Sequence, residues 1–177
     1  MHLQEQTISS NLAHKGGILE VYSDTVLLEN GKQANRDVIR HPGGVCVVAV
    51  NEKKEVYFVK QFRYPHKKVL LEIPAGKLEY GENPLECGKR ELREEAGFTA
   101  DRFESLGCLY PTPAYDTEVI YMYLASGLHK SQQHLDEDEF LDVLTIPLDK
   151  AVKMVMNNEI EDAKTQLALL KAALLLG

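Results

Sequence analysis

The sequence predicts an α/β (α+β) chain: a mixed central sheet with helices on both sides, plus a small N-terminal antiparallel β meander. Three observations carry this. Short runs rich in valine, isoleucine and leucine recur along the chain, a mid-chain helix has clear start and stop signals, and two helical stretches close the sequence. Elements that each have one apolar face are stable only when packed as layers.

Thr7 to His41 reads as an antiparallel meander, because Asn30-Gly31 between Val26-Leu27-Leu28 and a following polar strand is a strong hairpin signal. Gly43 and Gly44 mark a transition. Val45 to Val50 is a continuous apolar run, as expected of a strand covered on both faces. Val56 to Phe62 and Val69 to Ile73 are further strands. A helix is expected from Pro84 to Ala96. Asn83 suits the N-cap, Pro84 the first helical position and Gly97 the left-handed position after the last turn. Leu85, Gly88, Leu92 and Ala96 recur at helical spacing and define its packed face. Phe103 to Leu109, Glu118 to Ala125 and Phe140 to Ile146 complete the sheet. Leu148 to Asn157 and Asp162 to Leu176 are the closing helices. The last holds more leucine and alanine than one buried stripe needs; the surplus belongs either to the core or to a subunit interface. The expected division is residues 1–41 for the N-terminal β region and 42–177 for the main domain.

Composition narrows the function. The chain has 177 residues, 44% of them apolar, which is ordinary for a globular fold. A net charge of −7 argues against a nucleic-acid binder, which needs a basic surface. Cys46, Cys87 and Cys108 are odd in number and lack metal-ligand spacing, so they read as inert buried thiols of a reducing compartment. The histidines form no paired ligand motif. There is no signal peptide at the start, and the apolar stretch Leu167 to Leu176 is interrupted by Lys171 and too short to span a bilayer. The expectation is a soluble cytoplasmic protein with no membrane or nucleic-acid partner.

The mid-chain helix is crowded with acids. At roughly 100° of rotation per residue, Glu91, Glu94 and Glu95 share an arc of about 100° beside the packed face. Glu91 and Glu95 stand four residues apart, where like charges cost roughly 0.2–0.5 kcal/mol each. Such a face is either solvated and balanced by Lys89, Arg90 and Arg93, or it holds a cation. Arg90 and Glu94 can pair, whereas Glu91 and Glu95 have no obvious partner at helical spacing. Gly76 and Gly81 let the preceding loop fold back, so that Glu82 and backbone carbonyls reach the same place. Hard divalent cations want this oxygen-only shell, and phosphate chemistry is the best reason to hold one there.

The run from Gly76 to Phe98 fits the Nudix box at every fixed position: Gly76, Glu82, Arg90, Glu91, Leu92, Glu94, Glu95, Gly97 and Phe98. The chain therefore resembles the Nudix hydrolases. The resemblance implies their α/β/α sandwich from residue 42 onward, and hydrolysis of a nucleoside diphosphate linked to another moiety with Mg²⁺ or Mn²⁺, two or more ions per site. Segments outside the box are similar to the ADP-ribose pyrophosphatase branch: Arg36 to Gly43, Val59 to Arg63, Leu71 to Lys77, Pro111 to Glu118, Leu135 to Phe140 and Asp162 to Thr165. Pro113 lies sixteen residues beyond Gly97, as that branch prefers.

What the branch resemblance implies is cleavage of ADP-ribose to AMP and ribose 5-phosphate. Glu91, Glu95 and the Ala75 carbonyl are then the metal ligands, with Glu82 and Glu94 assisting. Arg90 orients the glutamates. In the acidic loop Glu139 is a further ligand and Glu137 the general base, roles that these two could exchange. Arg36 and Arg63 are candidates for the diphosphate or terminal ribose, because a guanidinium grips anionic oxygens at two points; the alternative is that both form surface ion pairs. Lys77, Thr112, Pro113 and Glu118 complete the substrate set. Two departures stand out. The chain has no tryptophan on which to stack a base, leaving Tyr22 or another aromatic, and Ala114 replaces a glycine common in relatives. A homodimer is implied by resemblance, through exchange of N-terminal strands. Rival readings are a Nudix hydrolase for another nucleoside diphosphate sugar or dinucleotide, and a non-catalytic nucleotide sensor.

Overall fold

The structure, a computed structural model, describes residues 2–135 and 139–177. By its internal contacts the chain forms two compact units, one of Met1–Gly43 with Tyr110–Val119, the other of Gly44–Leu109 with Ile120–Gly177.

The first unit is the predicted meander. Strands β1 (Gln6–Lys15), β2 (Glu20–Leu27) and β3 (Gln33–Arg40) pair antiparallel in that order. Gly31, at φ 79°, turns the chain between β2 and β3, and its N–H donates to Leu28 O at 2.9 Å. Such a turn favours a residue without Cβ. Val26 is the only one of these strands' residues that is buried, and β1 is exposed throughout. The segment Tyr110–Val119 joins this unit through β3: Ile39 donates its N–H to Tyr115 O at 2.7 Å, and Thr117 donates to Ile39 O at 2.9 Å.

The second unit is a layered sandwich. Its central strand, β4 (Gly44–Ala49), is buried at every residue, as the apolar run predicts. It pairs antiparallel with β7 (Ala75–Lys77) and parallel with β9 (Ile120–Lys130), and β9 pairs antiparallel with β8 (Phe98–Leu109). The sheet is thus mixed, in the order β7-β4-β9-β8. Side chains alternate across it. Val47 and Ala49 pack with Leu92 and Ala96 of α1 (Pro84–Ala96). Cys46, Val48 and Val50 pack with Ala168, Leu169 and Ala172 of α3 (Ala163–Leu176). A second, antiparallel sheet, ordered β10-β5-β6, holds β10 (Leu141–Pro147), β5 (Glu55–Arg63) and β6 (Lys68–Glu72), and α2 (Leu148–Met156) packs against β10, β5 and α3.

Several expectations shift. β8 starts at Phe98, straight after the helix cap, rather than at Phe103; β9 starts at Ile120 and runs on to Lys130. The short strand β7 was not foreseen, since three residues containing a glycine give no periodic signal. Cys46 and Cys87 are buried, and burial pushes both thiols up to about 12, but Cys108 is exposed. On α3, Leu174 and Leu175 face solvent, so the surplus leucines do not all enter the core. No helix among the described residues is long and apolar enough to cross a membrane.

Candidate active site

Helix α1 begins where its sequence says it should. The Asn83 side chain accepts the Leu85 N–H at 2.9 Å, Pro84 opens the first turn, and Gly97 closes the helix at φ 72°, donating to Arg93 O. Such a cap contributes about 1 kcal/mol. The helix buries Cys87, Gly88, Glu91, Leu92, Glu95 and Ala96. Two of the acids therefore lie within the packed face, not beside it. Gly88 lets the helix approach β4 closely: a Cβ there would meet Val45 Cγ2 at 3.2 Å.

Glu95 is 2% exposed, and its carboxylate accepts a hydrogen bond from Ala75 N–H to Oε2 at 2.8 Å. Burial, reinforced by the negative charges of Glu91 and Glu139, pushes its carboxyl up to about 8. Glu91 is 8% exposed, and burial pushes it up to about 7 despite the opposing pull of Arg90. Both acids thus sit where the ionised form lacks enough positive charge. Gly76 faces them. A Cβ at that position would fall 1.9 Å from Glu91 Oε1, so the glycine makes room for the carboxylate.

Arg90 organises the other acids. Its Nε and Nη2 donate to the two oxygens of Glu82 at 3.0 Å, and Nη1 donates to Glu91 Oε1 at 2.7 Å and Glu94 Oε2 at 3.0 Å. Nη2 also reaches Lys77 O at 3.3 Å. These hydrogen bonds hold Glu82 down at about 2 and raise the Arg90 pKa further. Glu91 has no partner at helical spacing, as expected, but its neighbour along the chain, Arg90, bends back to it, a contact outside the three- and four-residue spacings that sequence reasoning counts. Among the described residues no three histidine, cysteine, aspartate or glutamate side chains are gathered as a ready metal cluster. Glu82 and Glu94 are instead drawn to Arg90. What fits a hard cation is the oxygen-only donor set: two buried carboxylates, raised in pKa, beside the backbone at Ala75 and Gly76.

The other expected residues are placed as follows. Glu139 is half-buried, and its charge is felt by both Glu91 and Glu95. Glu137 lies outside the described residues. Arg63 donates through Nε and Nη2 to the two oxygens of Glu72, both at 2.7 Å, and its charge also acts on Glu95. The Lys77 side chain is exposed. In the first unit, Arg36 grips Glu5 with Nε at 3.0 Å and Nη2 at 2.5 Å, while Nη1 donates to Asn35 O. Thr112 O closes a turn by accepting from Tyr115 and Asp116, and Pro113 at its tip is exposed. Glu118 Oε1 stands 3.5 Å from His41 Nδ1. The Tyr22 ring is covered by the Arg40 guanidinium, 3.6 Å from its centroid.

Sequence reasoning passed over Glu72. It is 1% exposed, flanked by Arg63 and by Lys164, whose Nζ reaches its Oε2 at 2.5 Å. A glutamate amid Leu70-Leu71 and Ile73 was the available signal, since a buried charge demands partners.

A family model described as NUDIX domain matches residues 40–168. The chain belongs to the Nudix family. Among curated relatives of this Nudix chain, an ADP-ribose pyrophosphatase of Bacillus subtilis (strain 168) is 40% identical over 94% of this chain and 91% of its own length. A methanol dehydrogenase activator of Bacillus methanolicus is 38% identical over 93% and 90%. A solved structure of an ADP compounds hydrolase matches with a TM-score of 0.86, covering 98% of this chain and 94% of that one; at 21% identity the likeness is one of fold.

Proposed function

We propose that the protein hydrolyses the pyrophosphate bond of ADP-ribose, releasing AMP and ribose 5-phosphate, with Mg²⁺ or Mn²⁺ as cofactor, two or more ions per site. The observation that carries this reading is the pair Glu91 and Glu95, buried against Gly76 and Ala75 respectively with too little positive charge of the chain's own. The 40% identity to an ADP-ribose pyrophosphatase points it to that substrate.

Glu91, Glu95 and the Ala75 carbonyl are the residues to hold the metal, with Glu82, Glu94 and Glu139 close by. Bound there, a divalent cation would neutralise the diphosphate and acidify a coordinated water. Arg90 keeps Glu82, Glu91 and Glu94 in register. Glu137 or Glu139 takes the proton from the attacking water, whose oxygen bonds to phosphorus as the bridging P–O bond breaks. Arg63 and Lys77, on the same unit as the acids, are the residues to meet the substrate. The protein acts in the cytoplasm as a homodimer; the dimer is supported by β1, an exposed edge strand that carries Ile8 and Leu12.

The test is a panel of nucleoside diphosphate sugars and dinucleotides incubated with Mg²⁺ or Mn²⁺. ADP-ribose is expected among the best substrates, and its absence from them defeats the reading. A second reading, hydrolysis of another nucleoside diphosphate sugar or of a dinucleotide, is favoured on its sugar side by 31% identity, over 93% of this chain, to a GDP-mannose pyrophosphatase of Yersinia enterocolitica. The same panel separates the two.

A further inference from the structure

The segment from Glu72 to Ala75 leads from β6 into the candidate metal site, and each of its residues is held by another element of the unit. Ala75 N–H donates to Glu95 of α1, and Pro74 O accepts from Val47 N of β4 at 2.8 Å. These two contacts belong to the site and its sheet. The other two reach away from it, to the start of α3.

Ile73 donates its N–H to Thr165 Oγ1 at 3.0 Å, and both residues are fully buried. Glu72 is bound by Arg63 on one side and by Lys164 on the other. Lys164 is in turn fixed by Asp162, with Nζ to Oδ1 at 3.0 Å, and Asp162 is the N-cap of α3, accepting the Thr165 N–H through Oδ2 at 3.0 Å. Asp162, Lys164 and Thr165 thus form one rigid turn with two outgoing contacts. Neither is needed to cap the helix, since Asp162 does that alone. Both end on the residues just before Ala75. Such remote contacts matter at a metal site because they fix where the ligating atoms stand.

We infer that Lys164 and Thr165 are positioning residues: they hold the Glu72–Ala75 backbone, and through Glu72 the Arg63 guanidinium, in place for the metal and the diphosphate. This rests on the proposed reading of the site. Lys164 and Thr165 touch neither Glu91 nor Glu95, and act only through the segment they anchor.

The experiment compares Thr165→Val, Thr165→Ser and Lys164→Met with wild type, each checked for folding by circular dichroism. Mn²⁺ binding is read from the loss of the free-ion electron paramagnetic resonance signal, and turnover is measured separately. Thr165→Val keeps the shape but removes the acceptor for Ile73, so Mn²⁺ affinity and kcat should fall about 10–100-fold. Thr165→Ser should restore both to near wild type. Lys164→Met should weaken Mn²⁺ binding and also raise KM, because Arg63 loses its alignment. If Thr165→Val fails to fold, Lys164→Met decides. Folded variants that bind Mn²⁺ as tightly as wild type overturn the inference. A wild type that binds Mn²⁺ but hydrolyses no nucleoside diphosphate compound sinks the proposed function instead, and the ratio of Mn²⁺ affinities still decides this inference.

Discussion

Glu72 and Glu95 stand at the two ends of one short stretch of the fold, both almost without exposure to solvent, and they have opposite fates. Burial would raise the Glu72 carboxyl, but the hydrogen bonds and charges of Arg63 and Lys164 outweigh it and bring it down to about 2. Burial likewise raises Glu95, and there the Ala75 N–H and the more distant charge of Arg63 do not outweigh it, so the group rests at about 8. A buried carboxylate whose cations are built into the chain is scaffold. One whose charge the chain leaves unbalanced is kept for chemistry, because an idle buried charge is costly.

The largest effect that would break this comparison is on turnover. Glu95→Gln keeps the size and the acceptor for Ala75 N–H while removing the charge. Turnover should drop by more than the roughly 100-fold typical of outer contacts to a metal, with thermal stability at or above wild type. Unchanged turnover in a steady-state assay would place Glu95 with the scaffold. Glu72→Gln should do the reverse to stability. It leaves Arg63 and Lys164 facing a neutral group, and breaking a buried pair costs about 3–5 kcal/mol. Urea denaturation measures this, and a loss below about 1 kcal/mol would show that Asp162 alone satisfies Lys164.

The contrast also explains what the sequence could reveal. Periodicity and capping signals marked α1 to the residue, and the valine run marked β4, because both depend on neighbours a few positions away. The fixed spacing of Glu91, Glu94 and Glu95 marked the candidate site for the same reason. Glu72 and Arg63 are nine residues apart, and Lys164 lies 92 residues from Glu72. No local pattern reports such a pairing; it exists only once β5, β6 and α3 are assembled. Arg63 was accordingly read as a substrate or surface group, and its engagement with a buried acid emerged only from the fold. The Arg90 grip on Glu91 was missed differently: adjacent helical residues do not face each other, and only a long, bending side chain joins them.

A smaller effect sharpens the distinction from the side of the ligand. Mg²⁺ at about a hundred times its Kd should stabilise the folded protein by about 2.7 kcal/mol, which is roughly 5–10 °C in Tm for a chain of this size. The shift should vanish in Glu95→Gln. A scan in which Mg²⁺ leaves the wild-type Tm unmoved would contradict the view that Glu91 and Glu95 await a cation.

The finest distinction concerns acid, and it isolates Glu72. Its folded pKa of about 2 lies below the 4.5 of the free carboxyl, so above pH 4.5 its stabilisation is complete. As pH falls below 4.5 the unfolded chain takes up a proton that the folded one refuses until about pH 2. Stability should therefore decline by about 1.4 kcal/mol per pH unit through that window from this group alone. Other acids add their own slopes, so the informative quantity is the difference between wild type and Glu72→Gln. That difference should be constant from pH 7 to 5 and shrink steadily below about 4.5. A difference that stays level down to pH 3 would mean that Arg63 and Lys164 do not depress Glu72, and that its burial, not its pairing, is what the fold requires.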